Sequence, residues 1–172
     1  MITLVVANQK GGVGKTTTAL NLAASLSAAS RKVLLIDLDS QKNASSASGV
    51  DNITSKLSLL DALVDDKPIN SLILKTDYKF DIIPASQDLI SAEMELMNAN
   101  NPTSILKEKL SVIKNKYDYL VIDCPPSLGM LSVSALRAAD KVLIPLQCEY
   151  YSLEAVSYTH LTLPTNGHVW IS

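Results

Sequence analysis

The stretch NQKGGVGKTTT, residues 8–18, concentrates residues that can bind and neutralise phosphate. Gly11, Gly12 and Gly14 let the backbone turn tightly and aim its N–H groups inward at phosphate oxygens. A helix opening directly after them adds the positive end of its dipole. In such a loop Lys15 reaches the β- and γ-phosphates of a nucleotide, and the Thr16 hydroxyl ligates Mg²⁺. Val13 and Thr17 complete the wrap. The general pattern G-x-x-x-x-G-K-[ST] is not met in full, because Gln9 stands where its first glycine belongs. Lys10, before the double glycine, is one lysine more than the pattern requires. Taken alone it is a solvated surface lysine, as most lysines are.

Carboxylates stand at the ends of two apolar runs. In LLIDLDSQKN, Asp37 and Asp39 alternate with Leu38, so both project to one side of an extended chain. Near a bound Mg²⁺–nucleotide such a pair can hold the metal's waters and orient an attacking water; each can also serve as a loop or capping aspartate. In YDYLVIDCPPSLG, Asp123 closes a buried-type strand, where a carboxylate holds Mg²⁺ through water. Pro125 and Pro126 stiffen the chain directly after it.

Something must bring these groups together. ITLVVA (2–7), KVLLID (32–37), FDIIPA (80–85), YLVID (119–123) and KVLIPL (141–146) read as strands of a buried parallel sheet. Residues 16–29 read as a helix, with others near 58–64, 88–98, 102–115 and 129–139. The Ser- and Asn-rich stretch 39–56 reads as loop. Repeated βα units imply a doubly wound α/β fold with its ligand at the carboxyl ends of the strands, which is where the polar clusters fall.

The 172 residues suffice for one domain, and 47% hydrophobic with 19% charged residues is a globular composition. A net charge of -2 gives no global attraction to nucleic acid or anionic membranes. No apolar run approaches a membrane span, and the N-terminus lacks a secretory pattern, so a cytoplasmic location is expected. Cys124 and Cys148 fit neither a disulfide framework nor a zinc site and read as small buried apolar residues.

The loop Lys10-Gly11-Gly12-Val13-Gly14-Lys15-Thr16 resembles the deviant Walker A loop of the ParA/MinD superfamily of ATPases, P-loop NTPases with a mostly parallel sheet. VLLIDLDSQKNASSASGV, IIPASQDLISAEMEL and the run from YDYLVIDCPPSLG to CEYYSLEA carry the resemblance to ParA/Soj-type partition ATPases from Ile2 to Glu154. It implies ATP and Mg²⁺ as cofactors and a face-to-face homodimer in which Lys10 reaches the partner subunit's nucleotide. It implies water activation by Asp39, support of the metal site by Asp37, and a water-mediated metal contact by Asp123. Ser40 and Lys42 replace the family's more usual Pro and Gly, a change that bears on loop stiffness. The implied function is DNA segregation: an ATP-bound dimer on nonspecific DNA at the nucleoid, stimulated to hydrolyse by a ParB-type partner, without membrane attachment. A MinD-like membrane-associated positioning ATPase and a non-catalytic nucleotide-binding fragment are the alternatives. The related nitrogenase iron proteins share a cluster between cysteines, but DCPPSLG does not match their ligand surroundings.

The resemblance implies that 1–155 is the N-terminal part of such an ATPase domain, which is expected to be incomplete at its C-terminus. Residues 156–172, VSYTHLTLPTNGHVWIS, contain both histidines and the single tryptophan of the chain together with helix-breaking Pro164 and Gly167. Val156–Asn166 resembles one reading frame of a transposon-end sequencing adapter, and the segment is expected to be a non-native tail.

Overall fold

The structure, a computed structural model, describes residues 1–50, 58–99, 101–147 and the backbone of 168–170. Cys148, CEYYSLE and most of the expected tail lie outside the described residues. β1 (Ile2–Val6), β2 (Val33–Asp37), β3 (Leu74–Lys75), β4 (Asp81–Ile83), β5 (Tyr119–Asp123), β6 (Lys141–Leu143) and β7 (His168–Trp170) form one sheet in the order β3-β4-β2-β5-β1-β6-β7. All pairs are parallel except β3 with β4. The doubly wound, mostly parallel sheet is therefore present. β7 falls in the segment expected to be foreign, and its backbone pairs with β6 from Lys141↔His168 to Leu143↔Trp170.

Alternation along the strands feeds two cores. Val5, Leu34, Ile36, Leu120 and Ile122 face one layer, while Val6, Val33, Leu35 and Val121 face the other. On the first side lie α3 (Leu59–Leu63), α4 (Leu89–Met97), α5 (Ile105–Ser111) and α6 (Met130–Ala138), contributing residues such as Leu59, Leu96, Leu106 and Leu131. On the second, α1 (Lys15–Ala28) packs through Ala19 and Ala23, small residues that let a helix sit close to the sheet, and Ala44 of α2 (Asn43–Ala47) joins them. All five residues of β2 are buried, which is why its sequence is apolar up to its terminal aspartate.

Several elements differ from the expectation. The stretch 39–56 is not all loop, since α2 forms at 43–47 and buries Ala44 and Ser45 against the sheet. A short 3₁₀ turn at Ile69–Leu72 and the two-residue β3 were not expected. Both are too short for periodicity to register. α1 ends with a left-handed residue, Ser30 (φ 60), where Ser30 N donates to Ser27 O (3.0 Å) and Arg31 N to Leu26 O (3.1 Å). This is a Schellman closure with serine in the position glycine usually fills.

Candidate functional site

The chain leaves β1 on the α1 face and crosses to β2; it leaves β5 through α6 on the opposite face to reach β6. The carboxyl ends of β1, β2 and β5 thus meet at a switch point, a crevice no crossover helix fills. Val6 and Asp37 are both register partners of Asp123, so the three strand ends carrying the chemistry lie side by side.

From β1 the chain enters the glycine loop. Gly12 (φ 74) and Gly14 (φ 87) are left-handed, a conformation that costs other residues about 1–2 kcal/mol each. Buried Asn8 fastens the loop: its Oδ1 accepts from Lys10 N (3.0 Å) and its Nδ2 donates to Pro145 O (2.8 Å). Gln147 Nε2 donates to Gly12 O (3.2 Å) from the same strand-following segment. Sequence reading missed both residues because the Asn8–Pro145 and Gln147–Gly12 bonds join positions far apart in the chain. Lys15 is buried, and its Nζ donates to Lys10 O (3.1 Å), stationing the amine inside the turn. Burial lowers its pKa, opposed by the nearby Asp123 and Asp39 carboxylates.

The carboxylates take three different environments. Asp37 is fully buried; its Oδ1 accepts from Asp39 N (3.0 Å) and its Oδ2 from Ser45 N (2.8 Å) and Oγ (2.7 Å). Ser45 Oγ in turn accepts from Ala85 N (2.9 Å), so this carboxylate braces the ends of β2, α2 and β4. Desolvation raises the Asp37 pKa in spite of those bonds. Asp39 accepts from Gln41 N (3.0 Å) through Oδ1 and lines the crevice, whereas Asp37 does not. The two aspartates read as a pair from the sequence are thereby separated into a brace and a crevice-facing group.

Asp123 is 1% exposed and neither carboxylate oxygen has a hydrogen-bond partner. Burial pushes its pKa up to about 7; the Thr16 hydroxyl beside it and Lys15 oppose that rise, while Asp37 and Asp39 add to it. The Thr16 hydroxyl acts as a neighbour and not as a well-formed donor. A buried carboxylate without a partner fits a cation reached through water. Among the described residues no group of three or more His, Cys, Asp or Glu side chains could hold a metal alone. The donor set suits a hard ion that takes most of its ligands from phosphate and water. Cys124, 1% exposed, has its thiol pKa pushed up by burial and is chemically quiet.

Together these groups surround a crevice of about 740 Å³, large enough for a nucleotide. The glycine loop, Lys15, Thr16 and Thr17 form one wall, Asp39, Ser40, Gln41 and Asn43 another, and Pro125 to Ser127 a third. Lys10 and Val13 belong to the loop but do not line this crevice. The structure brings Gly11, Gly12, Gly14, Lys15, Thr16, Thr17 and Asp39 to one surface, with Asp123 buried beneath it. No helix among the described residues is long and apolar enough to cross a membrane.

Comparison with known proteins agrees with this geometry. A family profile described as an AAA domain matches residues 1–165. A chromosome partitioning protein ParA of Myxococcus xanthus is 52% identical over 157 residues, covering 90% of this chain and 55% of that protein. The sporulation initiation inhibitor protein Soj of Bacillus subtilis is 46% identical over 155 residues, covering 90% and 61%. The chain thus spans little more than half the length of these curated relatives. Among solved structures, a cobyrinic acid a,c-diamide synthase of Mycobacterium smegmatis, determined with an ATP analogue and magnesium, superposes with a TM-score of 0.89 at 35% identity, covering 98% of this chain and 72% of that one.

Proposed function

The chain belongs to the AAA-domain family of ParA/Soj-type partitioning proteins, and from that premise we propose that it is the nucleotide-binding part of an Mg²⁺-dependent ATPase that segregates DNA. One observation carries the ATPase reading: the glycine loop, Lys15 and Thr16 stand against a buried carboxylate, Asp123, whose oxygens accept no well-formed hydrogen bond.

In this reading the loop amides and Lys15 bind the β- and γ-phosphates of ATP. Thr16 directly, and Asp123 through water, hold Mg²⁺, which when bound neutralises charge on the phosphates. Asp39, on the crevice wall, orients the attacking water and accepts its proton. Asp37 supports the metal site from behind, by fixing the backbone of Asp39. Lys10 acts across an ATP-dependent homodimer, supplying a cation to the partner subunit's phosphates as an arginine finger does. The dimer binds nonspecific DNA at the nucleoid, in the cytoplasm and apart from membranes, and a ParB-type partner stimulates hydrolysis.

The name of the Mycobacterium smegmatis structure offers a second reading, an ATP-dependent amide-forming synthase. The Myxococcus xanthus relative named for chromosome partitioning is more similar, at 52% identity against 35%, and supports the first. Both readings share the nucleotide site, which calorimetric titration tests. Lys15→Ala should weaken ATP binding by about 30-fold or more, the loss expected when a buried phosphate cation is truncated. Unchanged affinity would overturn the assignment.

A further inference from the structure

α4 and α6 pack against each other, and one acid of α4 reaches into that contact. Leu89, Ala92 and Leu96 bury one face of α4. Glu93, four residues after Leu89 and three before Leu96, shares that face and is half-buried. Its Oε1 is buried and accepts no hydrogen bond among the described residues. A carboxylate placed so at a cost in solvation calls for a reason.

The reason lies in Gly129, the N-cap of α6. With φ −70 and ψ 178 its backbone is extended, a conformation open to any residue, so the chain path does not demand glycine. Space does: a Cβ on Gly129 would overlap the Glu93 carboxylate. From that place a Ser, Thr or Asp N-cap offers its oxygen to the orphan amides of a first helical turn. α6 has no side-chain cap of its own and no acid in its first turn. The Glu93 carboxylate therefore stands where the cap is missing, at the positive end of the helix.

The chain just before Gly129 is the third wall of the phosphate crevice. Ser132 Oγ, in the first turn of α6, donates to Ser127 O (2.7 Å), and Val133 N donates to Gly129 O (3.1 Å), so the helix start and the end of the wall are tied. Glu93 also lines a cleft of about 60 Å³ with Ser40, Pro125 and Ser127, three residues that line the phosphate crevice as well. We propose that Glu93 supplies α6 with its N-cap from α4, and through that cap is a positioning residue for the Pro125–Ser127 wall. The capping stands on geometry alone; its effect at the crevice rests on the ATPase reading.

The test uses the 172-residue chain, with hydrogen exchange at the amides of residues 130–132 and calorimetric titration of Mg²⁺–ATP as its two readouts. Glu93→Ala should speed exchange of those amides about fivefold and weaken nucleotide binding about two- to fivefold, leaving the amides of β5 at their parental rates. Gly129→Ala, which evicts the carboxylate without altering Glu93, should reproduce both effects. In the double variant the losses should not multiply, because both changes remove one interaction. Glu93→Gln should restore part of the protection and Glu93→Leu none, which separates an acceptor from a filler of space. Parental exchange in Glu93→Ala or Gly129→Ala, multiplied losses in the double variant, or full protection in Glu93→Leu would overturn the proposal. Faster exchange with parental nucleotide affinity would overturn the role at the wall. A parent chain that shows the exchange pattern but binds no ATP would leave the cap standing and remove the ATPase reading.

Discussion

Asp123 is a buried acid whose charge Lys15 and the Thr16 hydroxyl offset only in part. Its oxygens are buried and unpartnered, an arrangement that costs stability until a cation arrives. Asp123→Asn should therefore raise the melting temperature of the nucleotide-free chain by roughly 2–8 °C, corresponding to about 1–2 kcal/mol, while removing the Mg²⁺ dependence of nucleotide binding. Melts with and without Mg²⁺ and ATP measure both effects, and a destabilised variant would mean that Asp123 has a structural partner. Asp39→Ala should preserve ATP affinity and lower hydrolysis by about 10²–10⁴-fold, which single-turnover assays would resolve. The residues behind these two expectations were legible in the sequence, because a glycine loop followed by a helix and acids ending apolar strands are local patterns. Asn8 and Ser45 were not legible. Their work consists of bonds to Pro145 and Ala85, and only the folded sheet brings those positions within reach.

At the scale of elements, the parallel strands and long helices announced themselves through alternation and helical period, whereas α2 did not. Its Asn-Ala-Ser-Ser-Ala sequence has no strong local preference, and the helix is held by Ala44 packing on the sheet and Ser45 bonding to Asp37. Lys42, at its N-terminus, is left-handed with φ 58, a conformation that glycine adopts at least cost. α1 shows a similar departure at its other end. Ser30→Gly should relieve the left-handed strain in the Schellman closure and stabilise the chain by about 1 kcal/mol, or roughly 2–4 °C in melting temperature. A lower melting temperature would show that the serine side chain contributes more than its backbone costs.

For the whole molecule, the sheet supplies a frame whose one rim carries the glycine loop, Lys15, Thr16 and Asp39, and Lys10 is the loop residue whose proposed role lies beyond a single chain. In a full-length protein carrying these residues, Lys10→Ala should leave ATP binding by the monomer within about threefold, because Lys15 and the loop amides remain, while abolishing the ATP-dependent dimer. Light scattering with ATP decides this, and a parental dimer would make Lys10 an ordinary surface lysine. The dimer was inferred from resemblance alone, since a surface that meets another copy leaves no period or register in one sequence. The tie between the glycine loop and the segment after β6 has a practical consequence. Gln147 is exposed yet bonded to the carbonyl of Gly12. A small environment-sensitive dye attached near residue 147 would thus sit on a tether to the loop that grips phosphate, converting nucleotide arrival into an optical signal without touching any group that performs the chemistry.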